Sequence, residues 1–229
     1  MYEVELKNIS RSYGNHRALN DISVAFRAEK TTVILGRSGS GKSTLLKTIN
    51  GLVKPDSGTV IAPQRRQIGY VVQGNGLFPH LTVSKNISMP AIIAGDTDEQ
   101  KISQRTAELL DLTDLSQSYS QKYPSELSGG EQQRVALCRA LYLNPPVLLM
   151  DEPFGALDPV TRRGINNKII ELHQKSRITM IIVTHDVAEA ARLADDLLVL
   201  ERGEVQQFDS KENVVQSPAN AAVAELFAL

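Results

Sequence analysis

The sequence predicts an α/β fold with a mostly parallel sheet. Short apolar runs alternate with amphipathic helical patterns along the chain, which is typical of α/β architecture. Several runs are continuously apolar and β-branched, as expected of parallel strands buried on both faces. Short buried helix turns are the alternative, but flanking Gly, Pro and Asp residues favour strands. The predicted strands are residues 4–6, 31–35, 68–72, 147–150, 179–183 and 197–200.

Helices are predicted where apolar side chains recur at helical spacing. Two such patterns run over residues 102–110 and 165–172, and Pro159 stands where the second helix can begin. The stretch from about 75 to 145 is mostly helical between strand-rich flanks. We therefore expect a helical subdomain there, inserted into the α/β core. The tail over 213–229 has a helical apolar pattern and is predicted to form a final helix.

The composition excludes several classes of protein. The 229 residues allow one or two domains, with a core that needs no disulfide or metal. A balance of 25 Lys and Arg against 26 Asp and Glu disfavours a protein that coats nucleic acid. Cys138 is the only cysteine, so no intrachain disulfide can form and a reducing compartment is expected. No apolar run approaches the roughly 18 residues of a membrane span, and the N-terminus lacks a signal-peptide pattern, so a cytoplasmic protein is expected.

A glycine-rich motif at residues 36–44 reads Gly-Arg-Ser-Gly-Ser-Gly-Lys-Ser-Thr and fits G-x-x-x-x-G-K-[ST]. It lies between a predicted strand and a helical pattern, the context of a phosphate-binding loop; a flexible Gly/Ser loop is the alternative. Glycines let backbone amides face a phosphate, Lys42 should reach the β- and γ-phosphates, and Ser43 can offer a hydroxyl to Mg²⁺. The motif predicts a P-loop NTPase core with nucleotide-binding residues Gly36, Ser38, Gly39, Ser40, Gly41, Lys42, Ser43 and Thr44.

Two adjacent acids end the strand predicted at 147–150. Asp151 and Glu152 are costly to bury without a partner, which a magnesium–nucleotide complex would supply. Ligands of parallel sheets lie at the carboxyl ends of strands, so both acids should face the phosphate loop. We therefore assign Asp151 to the Mg²⁺ shell and Glu152 as the base that polarises the attacking water. A solvated strand end is the alternative.

A second glycine cluster precedes another helical pattern. Ser128 and Glu131 have the spacing of a capping box, which predicts that a helix begins here. A helix N-terminus with Gly129 and Gly130 is also a second anion site, because its backbone amides lack intrahelical partners. A helix cap with no further role is the alternative.

The sequence resembles the ATP-binding-cassette ATPases over about residues 3 to 225. Residues 127–131, Leu-Ser-Gly-Gly-Glu, are similar to the signature motif of that family, with Glu131 where Gln is common. The D-loop matches residues 156–158. Tyr13 looks like the aromatic residue that stacks on adenine, and Gln73 looks like the glutamine of the Q-loop. Asp158 looks like the acid of the D-loop, and His185 looks like the switch histidine.

The resemblance implies a role for each of these side chains. Gln73 is expected to contact Mg²⁺ or the attacking water, and His185 the γ-phosphate. Asp158 is expected at a dimer seam, near the opposing site. Each also has a simpler explanation: Tyr13 as a surface tyrosine, Asp158 as a turn residue and His185 as a helix-start histidine.

The resemblance further implies the architecture and the assembly. We expect an antiparallel β subdomain beside the parallel core, and one nucleotide-binding domain over 1–229 with no room for a C-terminal regulatory domain. Two copies, or one copy and a paralogue, should form a head-to-tail dimer. ATP on one phosphate loop would be closed over by Ser128 and Gly130 of the other copy. Hydrolysis removes the shared γ-phosphate, and the dimer opens.

The segment after Gln73 indicates a membrane partner. Leu77, Phe78 and Pro79 resemble the segment by which importer cassettes meet a helix of the membrane subunit; a local core staple is the alternative. The chain is therefore expected to dock on transmembrane permease subunits at the cytoplasmic face of the cell membrane. An extracytoplasmic solute-binding protein is a further expected partner, and nucleic acid is not.

The motifs favour import of a small solute. Residues 77–82 and 152–158 look most like those of osmoprotectant importers, so glycine betaine or choline is the favoured cargo and a small oxyanion the next. An exporter or lipid-handling cassette is an alternative. A soluble cassette acting on DNA or ribosomes is a weaker one, because such proteins usually carry long coiled coils or two cassettes. A catalytically dead module is disfavoured, since the whole set of catalytic side chains is present.

Overall fold

Strands and helices alternate along most of the chain. The computed structural model describes residues 2–155 and 157–227. The strands are β1 (Tyr2–Tyr13), β2 (His16–Arg27), β3 (Thr31–Leu35), β4 (Ser57–Ile61), β5 (Ile68–Val71), β6 (Val147–Asp151), β7 (Thr179–Val183), β8 (Asp196–Glu201) and β9 (Glu204–Ser210). The helices are α1 (Lys42–Ile49), α2 (Val83–Ile93), α3 (Glu99–Leu112), α4 (Gly129–Leu141), α5 (Pro159–Ser176), α6 (Val187–Leu193), α7 (Lys211–Gln216) and α8 (Ala221–Phe227).

The larger sheet forms the centre of the fold. Among the described residues its strand order is β5-β6-β7-β3-β8-β9, parallel except for β9, which pairs antiparallel with β8. Every residue of β3, β6 and β7 is buried, which explains their continuously apolar sequences. The predicted α/β fold with a mostly parallel sheet is confirmed. The carboxyl ends of β6, β7 and β3 meet along one edge of this sheet.

The smaller sheet is antiparallel and packs on the helix that follows the phosphate loop. Its strand order is β2-β1-β4 in the described part of the chain. Ile9 and Phe26 from this sheet share one buried cluster with Leu45 and Leu46 of α1. The antiparallel β subdomain implied by the resemblance is therefore present, and its packing on α1 helps to fix the phosphate loop.

Three helices, α2, α3 and α4, lie between β5 and β6. The helices predicted over 102–110 and 165–172 are confirmed as parts of α3 and α5. Cys138 of α4 is fully buried in the main apolar cluster. The subdomain limits at about 75 and 145 stay a prediction. Within the described residues no helix is both long and apolar enough to cross a membrane.

The strand predicted at 4–6 is confirmed as part of the longer β1. The strands β2, β4 and β9 were not predicted, because they expose one face or lie at sheet edges. One expectation about secondary structure is wrong. The single final helix over 213–229 is replaced by α7 and α8. Pro218 lies between them, because proline lacks the N–H that a continuous helix needs and restricts the preceding residue. Residues 228 and 229 lie outside the described residues.

Candidate nucleotide-binding site

The phosphate loop joins β3 to α1 at the carboxyl edge of the sheet. Gly41 precedes α1 with φ of 103°, a left-handed conformation that favours glycine. A Cβ on Gly41 would lie 2.3 Å from the carbonyl oxygen of Ala18, and one on Gly36 would lie 2.1 Å from that of Leu200. No side chain fits at either position. The loop is therefore held between β2 and β8, at a helix start whose backbone N–H groups lack intrahelical partners.

Lys42 spans this loop. Its Nζ donates to the carbonyl oxygens of Gly36 at 2.7 Å and Arg37 at 2.9 Å. Burial lowers the pKa of Lys42, and the carboxylates at the end of β6 oppose that shift. Ser40 Oγ is buried and has no hydrogen-bond partner among the described residues. A buried cation and an unpartnered hydroxyl in one loop suit an anion with several acceptor oxygens.

A cleft of about 260 Å³ opens beside the loop. Side chains distant in sequence converge on it from β1, β2, the loop and the ends of β5 and β6. The lining residues are Tyr13, His16, Ala18, Ser38, Gly39, Ser40, Gly41, Lys42, Ser43, Thr44, Gln73 and Glu152. Two of them, His16 and Ala18, were not predicted, because His16 shows no ligand spacing and Ala18 belongs to no motif.

The hairpin between β1 and β2 places two rings at this cleft. Tyr13 pairs with His16 across the turn and is 46% exposed. The Arg11 guanidinium lies 4.9 Å from the centroid of the Tyr13 ring and is held by Asp56 at 2.6 Å. The cation therefore steadies the ring, which still offers exposed surface to a ligand.

Asp151 ends β6 almost fully buried. Ser43 Oγ donates to its Oδ1 at 2.9 Å, and the Tyr70 hydroxyl donates to its Oδ2 at 3.4 Å. Burial raises the pKa of Asp151, and both hydrogen bonds oppose the rise. Burial and the neighbouring Asp151 also raise the pKa of Tyr70. A hydroxyl and a buried carboxylate side by side are hard oxygen donors, which fits the Mg²⁺ that the family implies.

Glu152 follows in a strained backbone conformation. Its φ is 45°, a left-handed value that costs a residue other than glycine about 1–3 kcal/mol. A hydrogen bond from its N–H to the carbonyl oxygen of Val183, at 3.0 Å, holds this conformation. Gln73 Nε2 donates to Glu152 Oε2 at 3.1 Å, and His185 Nδ1 lies 3.6 Å from Oε1. The structure therefore gathers three predicted catalytic side chains in one place.

The backbone on both sides of His185 is fixed by a polar network. Asp186 caps α6, and Arg162 of α5 donates to it at 3.0 Å. Arg162 Nε also lies 3.5 Å from Glu189, which accepts a 2.6 Å hydrogen bond from the Thr184 hydroxyl. Burial raises the pKa of Glu189. This network leaves no pattern in the sequence, because its members lie on three elements that only the fold brings together.

The signature residues lie away from the cleft. Ser128 caps α4, and the predicted capping box is confirmed: Ser128 N donates to Glu131 Oε2 at 2.7 Å, and Glu131 N donates to Ser128 Oγ at 3.3 Å. The Ser128 hydroxyl also donates to Glu131 Oε2, and the Tyr119 hydroxyl to Oε1. A Cβ on Gly130 would lie 2.6 Å from Thr161. Among the described residues that line the cleft, none comes from α4.

Asp158 caps α5 and is absent from the described residues that line the cleft. Its carboxylate accepts hydrogen bonds from the N–H groups of Val160 and Thr161 at 3.0 and 3.1 Å. Hydrogen bonding to Thr161 lowers the pKa of Asp158. Ala156, in the predicted D-loop, lies outside the described residues. Within one chain, Asp158 therefore serves the helix rather than the cleft.

The phosphate-loop motif between β3 and α1, at the edge where β6 and β7 also end, defines the class of protein as a P-loop cassette. Residues 19–155 match the family described as ABC transporter, and the chain belongs to this family.

Three curated relatives cover almost the whole chain. The choline transport ATP-binding protein OpuBA of Bacillus subtilis is 40% identical over 96% of this chain, which spans 61% of the length of OpuBA. The glycine betaine uptake system ATP-binding protein YehX of Escherichia coli is 40% identical over 98% of the chain and 76% of its own length. The probable sulfate/thiosulfate import ATP-binding protein CysA of Chlorella vulgaris is 41% identical over 98% of both chains.

A solved structure shares the fold. The dimeric post-hydrolysis state of the ATP-binding cassette MJ0796, bound to ADP and Pi, superposes with a TM-score of 0.82 at 33% identity. The match covers 90% of this chain and 98% of that one.

Proposed function

We propose that the chain is the ATP-hydrolysing subunit of an ABC importer whose cargo is a small osmoprotectant such as glycine betaine or choline. The position of Glu152 carries the proposal. Its carboxylate lies 3.1 Å from Gln73 Nε2 and 3.6 Å from His185 Nδ1, at the rim of the phosphate cleft. A carboxylate held there can polarise a water that attacks a γ-phosphate.

ATP binding would use the whole cleft. Tyr13 would stack on adenine, and the backbone N–H groups of the loop would donate to the phosphates. Lys42 would exchange its two carbonyl partners for the β- and γ-phosphate oxygens, a stronger charge-assisted contact. The loop residues assigned to the phosphates are Gly36, Ser38, Gly39, Ser40, Gly41, Lys42, Ser43 and Thr44.

The metal site would be formed at the buried end of β6. Bound with ATP, Mg²⁺ neutralises the charge that develops on the phosphates. Ser43 Oγ and Asp151 would hold it, directly or through water. Gln73 donates to Glu152 with its amide nitrogen, so its carbonyl oxygen is the atom suited to a hard cation.

In hydrolysis, Glu152 would act as the general base and take a proton from the attacking water. The water oxygen would bond to the γ-phosphorus while the bond from phosphorus to the β-γ bridging oxygen breaks, which leaves ADP and phosphate. Gln73 and His185 keep the carboxylate at the rim of the cleft. His185, with a side chain 63% exposed, is free to contact the γ-phosphate.

A second cassette would complete each site. Ser128 and Gly130 stand at the start of α4, outside the cleft of their own chain. In a head-to-tail dimer of two copies, or of one copy with a paralogue, they would contact the ATP held by the partner. Asp158, at the start of α5, would lie at the same seam.

The membrane partner would dock beside Phe78. A groove of about 760 Å³ is lined there mainly by apolar residues, including Met89 and Ile93, together with Arg65, Arg66 and Arg139. Ile93 is 79% exposed and Phe78 is 42% exposed. Burial of these side chains by a permease helix would release water from apolar surface. The chain would then lie at the cytoplasmic face of the membrane, held there by the permease.

The cargo is inferred from resemblance. Two of the relatives above are named for choline and glycine betaine, and residues 77–82 and 152–158 favour such cassettes. The relative named for sulfate and thiosulfate is equally similar, so a small oxyanion is the second candidate. An extracytoplasmic solute-binding protein would deliver either cargo, whereas an exporter would work without one.

Reconstitution tests this function. The chain would be assembled in liposomes with the permease and solute-binding protein encoded beside it, and phosphate release measured with glycine betaine, choline or sulfate. We expect stimulation by glycine betaine or choline on the side of the solute-binding protein. Stimulation by sulfate alone would replace the osmoprotectant with the oxyanion. Loss of ATP hydrolysis in every condition would reject the enzymatic assignment.

A further inference from the structure

The segment between Gln73 and α2 is held by an arginine of the signature helix. Arg139 Nη1 donates to the carbonyl oxygen of Gly76 at 2.8 Å, and Nη2 donates to that of Asn75 at 3.0 Å. Both carbonyls lie between Gln73 and the docking residue Phe78. The Arg139 guanidinium on α4 therefore holds the backbone between Gln73, at the nucleotide cleft, and Phe78, in the proposed permease-docking segment.

The charge of Arg139 has no acidic partner in the described part of the chain. Its side chain is half-buried, and burial lowers the pKa of the guanidinium. The carbon of the guanidinium lies 5.8 Å from the centroid of the Phe78 ring. Two carbonyls and one ring therefore satisfy this cation. The planar fork of arginine directs one N–H group to each carbonyl in a fixed geometry, which a shorter lysine with one nitrogen does not reproduce.

The far end of the segment is fixed separately. Asn86, fully buried on α2, accepts a hydrogen bond from Phe78 N at 2.8 Å. Its amide donates to the carbonyl oxygens of Phe78, Leu81 and Thr82 at 3.1, 3.0 and 3.1 Å. Residues 78–82 are therefore hydrogen-bonded to α2 through Asn86, whereas residues 75 and 76 are hydrogen-bonded to α4 through Arg139.

The helix α4 is a rigid connection between two sites. Its first turn carries the residues assigned to the ATP of the partner copy, and Arg139 lies in its last turn. Arg139 lies nine positions after Gly130 on one α-helix, a rise of about 14 Å. A movement of the first turn is transmitted along the hydrogen-bonded helix without an intervening hinge.

We propose that Arg139 is a positioning residue that transmits movement of the signature helix to the permease-docking segment. The proposal rests on the proposed function, because it assumes that ATP draws the first turn of α4 towards the partner copy. Arg139 touches neither ATP nor the reacting atoms. It acts through the backbone carbonyls of Asn75 and Gly76.

Amide hydrogen exchange followed by mass spectrometry tests this role in the full chain. The parent is Glu152→Gln, incubated with ATP and Mg²⁺ to accumulate the dimer. We expect ATP to slow exchange at residues 74–78 by about fivefold or more, because their opening becomes rarer. Adding Arg139→Gln should reduce that effect below about twofold while the dimer still forms. Arg139→Lys, which keeps the charge but loses the fork, should give a partial effect.

Arg105→Gln is the matched control. Arg105 also donates to backbone carbonyls near the end of α4, those of Leu141 and Tyr142, but not to the docking segment. This variant should keep the full ATP effect at residues 74–78. A merely structural role for arginine in this subdomain predicts equal losses in both variants.

The outcomes separate the two claims. If the Arg139→Gln variant forms the ATP-dependent dimer and still shows the full slowing of exchange at residues 74–78, the role of Arg139 is refuted. The proposed function is then unaffected. Failure of the parent to dimerise with ATP overturns the proposed function, and the transmission role with it. If Arg139→Gln fails to fold, Arg139→Met decides, because it keeps an apolar stem but has no donor for the two carbonyls. An undiminished ATP effect in that variant also refutes the proposal.

Discussion

Replacing Glu152 with glutamine should separate ATP binding from ATP hydrolysis. The amide has nearly the shape of the carboxylate, and its carbonyl oxygen can still accept the hydrogen bond from Gln73 Nε2. Lys42 and the loop keep their contacts. We therefore expect the affinity for ATP to change by less than about threefold, since the difference in binding free energy stays below about 0.7 kcal/mol.

The rate of hydrolysis should fall much further. An amide cannot take a proton from water, so the contribution of general base catalysis is lost. That contribution is typically about 10²- to 10⁴-fold, which corresponds to about 3–5 kcal/mol of activation free energy. In the proposed dimer, the ATP-bound state should persist longer by a similar factor, because hydrolysis would remove the phosphate that both copies are proposed to hold.

Phosphate release and light scattering after size exclusion, both with ATP and Mg²⁺, measure these two effects. Glu171→Gln is the control, because Glu171 is a half-exposed acid on α5 that pairs only with Lys168 among the described residues. It should behave like the unchanged chain. Hydrolysis by Glu152→Gln at more than about a third of the normal rate would refute the base assignment, since this is a barrier change below about 0.7 kcal/mol.

Further predictions concern the loop, the docking segment and the buried thiol. Lys42→Ala should weaken binding of a fluorescent ATP analogue by about tenfold or more, because charge-assisted phosphate contacts are lost; normal affinity would exclude Lys42 from the phosphate site. Asn86→Ala should lower the free energy of unfolding in urea by about 3 kcal/mol, from several lost or unsatisfied hydrogen bonds; a change below about 1 kcal/mol would contradict that contribution. Burial raises the pKa of the Cys138 thiol from 9.0 to about 12. The unfolded chain therefore releases this proton first, so the stabilisation is complete below pH 9 and is lost between pH 9 and about 12. Cys138→Ala should flatten that part of the stability profile, and an identical profile would contradict the shift.

The central strands could be predicted because a strand buried on both faces is apolar at every position. That pattern is recognisable in a stretch of only five residues. The strands at 31–35 and 179–183 match β3 and β7 residue for residue. The hairpin of β1 and β2 has one exposed face and several irregularities of register, which interrupt the alternation that marks such strands. Pairing with distant parts of the chain, rather than the local sequence pattern, determines where β1 and β2 begin and end.

Motif spacing predicted that the phosphate loop and the acids after β6 lie together, because the carboxyl ends of parallel strands share one edge. Tyr13, Gln73 and His185 were expected only from the resemblance. Motif spacing could not predict Arg139, Asn86 or the Arg162 network. Each of these side chains bonds backbone or acids supplied by other elements, and an isolated Arg or Asn in a helical pattern looks like an ordinary surface residue. Tyr70 was missed for a related reason: its contact with Asp151 crosses from β5 to β6.

The capping box at the start of α4 has a consequence for how two copies would come together. The hydroxyl proton of Ser128 is already given to Glu131, so an incoming phosphate must compete for it. Glu131 would remain satisfied after losing that proton, because the Ser128 N–H and the Tyr119 hydroxyl still donate to it. When two copies associate, the Ser128 hydroxyl would therefore exchange Glu131 for the γ-phosphate as its hydrogen-bond acceptor. With ADP, which lacks the γ-phosphate, the hydroxyl would stay bonded to Glu131.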